Sequence, residues 1–199
     1  QGSPYADGVA LPVPRTLLHP GKAAAEEGLK GEYFASDNFD GKPVATRIDK
    51  QIDFDWNSAS PAPGASAEHF AVRWTGTITA PEAGTYTFQM RLAHCYPCRD
   101  TEKFAVYLDG KAVSSFASPE GAESRPSGTP GFTMTFDDTK PHALRVEYLH
   151  SAELFGAGIT MEWVPKDGLL VKDAGAAAQK ADVVLAFVGL SPEVEGEDM

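Results

Sequence analysis

Two stretches of this 199-residue chain gather the side chains that can do chemistry. The first is Leu92-Ala-His-Cys-Tyr-Pro-Cys-Arg-Asp100, where His94, Tyr96, Arg99 and Asp100 bring an imidazole, a phenol, a guanidinium and a carboxylate into one short segment. Such a set can stack on the flat face of a ligand and hydrogen-bond its polar groups. Cys95 and Cys98, the chain's two cysteines, lie in the same stretch, and their spacing permits a local disulfide. A disulfide-pinned surface loop is the plainer reading of the whole segment. Redox chemistry needs a helix N-terminus to lower a thiol pKa, and these cysteines follow a strand pattern instead. Two cysteines also fall short of the four ligands usual in structural zinc sites.

The second stretch is acidic: Glu193, Glu195, Glu197 and Asp198 follow the apolar run Val183 to Val188. Carboxylates at this density can exchange protons with a substrate or gather a hard cation such as calcium. An ordinary solvated acidic loop competes with both readings. A carboxyl beyond the C-terminal end of a parallel strand does sit where open α/β sheets hold their ligands. Three tryptophans complete the inventory. Trp74 and Trp163 fall on the apolar faces of alternating segments and belong to a core, which leaves Trp56 as a sugar-stacking platform.

The elements that must carry these groups follow from hydrophobic period. From Gly28 to Pro165 that period is two. Phe70, Val72, Trp74 and Ile78 alternate with Arg73, Thr75 and Thr77; Tyr86, Phe88, Met90 and Leu92 alternate with Thr85, Thr87, Gln89 and Arg91. Phe132, Met134 and Phe136 repeat the pattern, as do Leu144, Val146 and Tyr148, and Ile159, Met161 and Trp163 supply a closing strand. Asp109-Gly110 favours positive φ at both positions, which predicts a tight hairpin after Leu108. Many short strands between turn signals indicate an antiparallel sandwich or barrel. Pro12, Pro14 and Pro20 punctuate the residues before it, which read as a return strand and linker. After Pro165 an Ala-rich stretch, Asp173 to Lys180, leads into Val183 to Val188, a helix followed by a buried strand in the manner of α/β proteins.

Composition bounds the partners. Seventeen basic against 28 acidic residues give a net charge of −11, which excludes nucleic acid as a natural ligand. The run Val183 to Val188 is far short of the roughly 20 residues that cross a bilayer, so no membrane span is expected. The chain starts at Gln1 with no readable signal peptide, which suggests a fragment or a processed protein.

Six motifs occur in the order of a known domain: Gly28-Leu-Lys-Gly-Glu-Tyr-Phe34, Asn38-Phe39, Ile52-Asp-Phe-Asp-Trp56, Phe70-Ala-Val-Arg-Trp-Thr-Gly76, Gly84-Thr-Tyr-Thr-Phe88 and Val106-Tyr-Leu-Asp-Gly110. Together they resemble the protective-antigen-type β-domain. The tail Ala181 to Met199 is similar to the α/β sandwich domain of family 3 glycoside hydrolases, just before its acid/base loop, and some β-glucosidases and β-xylosidases of that family carry a protective-antigen-type domain inserted there. The resemblance implies a mainly β chain in three parts. Residues 1–27 are strand and linker from the α/β domain, 28–165 the antiparallel β-sandwich, and 166–199 the start of the resumed α/β domain.

It further implies a β-glucosidase or β-xylosidase type of parent that cleaves an oligosaccharide or β-glycoside, with the β-domain shaping or covering the site. Glu195, directly before Gly196, matches the position of the general acid/base. Retaining hydrolysis needs a second carboxylate about 5 to 5.5 Å away, which in that family lies on a separate barrel domain. The chain alone is therefore expected to be inactive, with the rest of the parent hydrolase as its partner, no cofactor, no metal, and a periplasmic or extracellular location. In sugar-binding adhesin members of the β-domain family an aspartate pair follows the strand that here ends at Leu92 and coordinates calcium. His94 to Asp100 departs from that pattern, against a calcium-dependent lectin. The alternative function is a non-catalytic carbohydrate-binding module or an adhesin-like structural domain, in which the sandwich acts alone.

Overall fold

The computed structural model describes residues 10–21, 25–93, 101–118, 131–151, 157–166 and 175–184. Twelve strands lie among them: β1 (Leu11–Pro12), β2 (Leu18–His19), β3 (Leu29–Phe34), β4 (Ala45–Asp49), β5 (Asp53–Asn57), β6 (His69–Ile78), β7 (Gly84–Leu92), β8 (Thr101–Leu108), β9 (Lys111–Ala117), β10 (Phe132–Phe136), β11 (His142–Ser151) and β12 (Ala157–Val164). They form two antiparallel sheets. In one, β10 lies outside β7, β7 beside β12, and β1 and β5 share the far side of β12. In the other the order is β4-β3-β6-β11-β8-β9, with β2 pairing β6 beyond the end of β3. The protein is thus mainly β, an antiparallel β-sandwich.

Alternation explains the interior. Phe70, Val72 and Trp74 of β6, Tyr86, Phe88 and Met90 of β7, and Val146 and Tyr148 of β11 are all buried, while the residues between them, the buried Ala71 excepted, are exposed or half-buried. Each such side chain contributes about 1.5–3 kcal/mol of hydrophobic stabilisation. Trp74 and Trp163 are core residues as their periodicity requires. Trp56 is not an open platform: its ring stacks on Phe54 at 4.8 Å and on Tyr148 at 6.0 Å, and meets Phe70 edge-on, so it packs against the core.

One buried polar knot explains the first motif. The Asp49 carboxylate, at the end of β4, accepts from the Tyr33 hydroxyl at 2.6 Å, the Trp74 indole at 2.8 Å and the Arg47 guanidinium at 2.6 Å. Space for it exists because residue 31 is glycine; a Cβ there would collide with the carboxylate. Burial, and then the Asp49 carboxylate, push the Tyr33 phenol far above its ordinary pKa, so it stays a donor. Asp109 and Gly110 both take positive φ, +48° and +79°, and close the β8–β9 hairpin as the sequence predicts.

The sandwich reaches further toward the N-terminus than the period of two reveals. Leu11–Pro12 pairs with β12 and Leu18–His19 with β6, and Val13 and Leu18 sit in the core. Main-chain bonds from Val13 to Met161 and from Thr79 to Leu17 fix this segment, so the stretch expected to hold a return strand and linker contributes a short strand to each sheet of the sandwich. Of residues 166–199, Lys166 and 175–184 are described, and 175–178 form one helical turn.

Candidate functional site

From β3 onward successive connections alternate between the two ends of the sandwich. One end carries 50–52, 79–83, 109–110 and 137–141; the other carries 35–44, 58–68, 93–100, 118–131 and 152–156. The connections 35–44, 58–68, 93–100 and 118–131 are each longer than any at the opposite end. Long connections gathered at one end of a rigid sandwich are where binding residues collect.

The roots of four of these connections are stitched together. Ser118, leaving β9, donates its amide to the Glu102 carbonyl at 2.8 Å, and its hydroxyl accepts from the Glu102 amide at 3.2 Å. The Glu102 carboxylate lies 2.7 Å from His150 Nδ1, and both side chains are fully buried. The next residue, Ser151, bonds His69 Nδ1 at 2.9 Å at the start of β6. Phe70 and Tyr148 pack against the His150 ring. A histidine and a carboxylate shut away from water depend on such a contact, because a buried polar group left without a hydrogen bond is costly. Ala93, at the root of 93–100, donates to the Gly158 carbonyl at 2.9 Å.

His94, Cys95, Tyr96, Cys98, Arg99 and Asp100 lie outside the described residues, as does Glu195 with its acidic neighbours. The strands flanking 93–100 root it at the end with the long connections, next to Glu102. Sequence reasoning missed the Glu102–His150 pair. Both residues fall on the inward parity of their strands, Glu102 with Phe104 and Val106, His150 with Tyr148 and Val146, and that parity is the signal that exposes them. Among the described residues no group of three or more acidic, histidine or cysteine side chains is placed to hold a metal ion.

Two sheets, antiparallel throughout, with the long connections at one end define a β-sandwich module of the kind that carries binding loops. The chain belongs to the PA14 domain family, whose model matches residues 25–174. Anti-sigma-I factor RsgI3 of Acetivibrio thermocellus is 39% identical over 61 residues, which is 31% of this chain and 9% of that protein. The chain therefore spans about a tenth of the length of that curated relative. Among solved structures, an anti-sigma factor domain-containing protein from Clostridium clariflavum aligns with a TM-score of 0.53 and 23% identity, over 70% of this chain and 42% of that one. A β-glucosidase from Kluyveromyces marxianus aligns with a TM-score of 0.53 and 18% identity, over 90% of this chain and 22% of that one.

These findings overturn the expectation of a family 3 glycoside hydrolase fragment. No family 3 model matches, and the glycosidase likeness covers only the inserted PA14 domain of those enzymes. The six motifs identified the sandwich correctly; the short tail, matched on an apolar run and an acidic loop, is too common a pattern to carry a family.

Proposed function

We propose that this chain is a non-catalytic carbohydrate-recognition module of an exported protein, which takes a neutral oligosaccharide at the end of the sandwich that carries the long connections. The observation that carries the reading is the PA14 family match over a sandwich whose long connections converge on one end. The same fold is part of an anti-sigma factor domain-containing protein and of a β-glucosidase. Proteins with such different activities share the module and not the chemistry, which suits recognition, and a sugar is the ligand class the β-glucosidase name supplies. A net charge of −11 disfavours anionic glycans. Within 93–100, Tyr96 and His94 supply ring faces for the C–H face of a sugar, and Arg99 and Asp100 supply hydrogen bonds to its hydroxyls. Periplasmic or extracellular placement belongs to the same reading; among the described residues no helix is long and apolar enough to cross a membrane.

The test is a glycan array with the purified chain, followed by calorimetric titration of each hit against wild type, Tyr96→Ala and Arg99→Ala. Binding of neutral glycans that both substitutions weaken supports the module. A chain that binds no glycan, or binds with equal affinity in all three forms, refutes it.

A further inference from the structure

The outermost strand of a sheet offers the half of its main-chain N–H and C=O groups that points away from its neighbour to any extended chain alongside. Among the described residues, each other edge strand carries a device against such pairing. β1 contains Pro12, and β2 is two residues long with its Leu18 carbonyl taken by the Gly28 amide. β5 carries Asp53 and Asp55 and a bulge opposite Ala157 and Gly158. β4 carries Arg47 and Asp49, and β9 opens with Lys111 and bulges opposite Val106 and Tyr107.

β10 has none of these. Phe132–Phe136 contains no charge and no proline, and it pairs with β7 in unbroken register. Thr133 and Thr135 are exposed opposite Thr87 and Thr85, so the outer surface at this edge is also uncharged. No described residue hydrogen-bonds to the main chain of β10 on the side away from β7. The strand is moreover a palindrome, Phe-Thr-Met-Thr-Phe.

We propose that β10 is a dimerisation edge and that its occupant is β10 of a second copy of this chain. An antiparallel pairing about a two-fold axis at Met134 sets Phe132 against the partner's Phe136, Thr133 against the partner's Thr135, and Met134 against the partner's Met134. Threonines meet on the outer face and apolar residues on the inner, so both faces of each sheet continue across the junction. The net charge of −11 opposes association elsewhere, which leaves the uncharged edge as the favoured approach. Among the described strands β10 is the one unguarded edge, so pairing consumes it and assembly stops at two.

Sedimentation velocity on the 199-residue chain over a range of concentration and salt tests this. The expected result is a reversible dimer that tightens as salt screens the like charges. Thr133→Lys and Thr135→Lys, both at exposed positions, each weaken it by on the order of tenfold or more; Thr133→Lys leaves the monomer's melting temperature in place, while Thr135→Lys also loses the exposed hydroxyl contact with Thr85. Amide exchange at 132–136 slows as concentration rises. A chain that stays monomeric throughout overturns the proposal, as does a dimer whose dissociation constant neither lysine changes or whose protected amides lie away from β10.

Discussion

At the end of the sandwich holding Ile78, Leu108 and His142, strands are joined by short turns whose residues are spent on holding the turn. Asp109 takes positive φ, receives the Ala143 amide at 2.8 Å and lies 2.8 Å from His142 Nδ1; at the same end, on the far side of the sheet, Asp49 gathers the buried Tyr33 and Trp74 donors and the half-exposed Arg47 guanidinium. At the opposite end the polar residues Ser118, Glu102, His150, Ser151 and His69 fasten the roots of long connections and leave the connections to other work. Polar side chains at one end close the fold, and at the other they anchor what the fold presents.

Substitutions can break or sharpen that contrast. The largest effect belongs to the turn end: Asp49→Ala strands the Tyr33 hydroxyl and the Trp74 indole inside the protein and should cost about 3 kcal/mol or more in urea denaturation. At the loop end, His150→Leu removes one hydrogen-bond partner of a buried carboxylate and should cost about 2 kcal/mol. The double replacement Glu102→Met with His150→Leu should recover most of that loss, since an apolar pair of similar volume replaces the buried ions well. If the double variant is as unstable as the single, the pair is doing more than filling space with matched polarity. Asp109→Ala should cost about 1 kcal/mol through positive φ and two lost bonds, read as a lower denaturation midpoint with an unchanged slope. Smallest in stability is Tyr96→Ala, expected within about 0.5 kcal/mol of wild type although glycan affinity falls on the order of tenfold. A large stability loss at Tyr96 would erase the division between the two ends.

The strands with clean alternation were legible before any coordinates. Phe70, Val72 and Trp74, or Tyr86, Phe88 and Met90, carry their facing in their spacing, and Asp109-Gly110 carries its turn in its φ preference. Leu11–Pro12 falls in the stretch that reads as a return strand, but its place beside β12 and the strand at Leu18–His19 were not legible, because two residues have no period and the prolines around them read as linker. Asp49 looks like a surface residue in Thr-Arg-Ile-Asp-Lys; its burial depends on the missing Cβ of Gly31 in a neighbouring strand, a relation only the register discloses. Of the candidate site, the sequence nominates His94 to Asp100, which lie outside the described residues, and it misses the buried pair beside them. Glu102 and His150 sit 48 positions apart and meet only when β8 and β11 align.

The pairing of Leu11 with Trp163 and of Pro12 with Glu162 has a consequence for where such a sandwich can live. The chain enters along β1 and departs along β12 as adjacent antiparallel neighbours, so the way in and the way out are about 5 Å apart. A host protein need open only one surface loop by that width to receive the whole unit, with almost no loop-closure entropy added and its own folding left undisturbed. The module is portable for a geometric reason: whatever its loops present, one narrow opening in a host is enough to carry it.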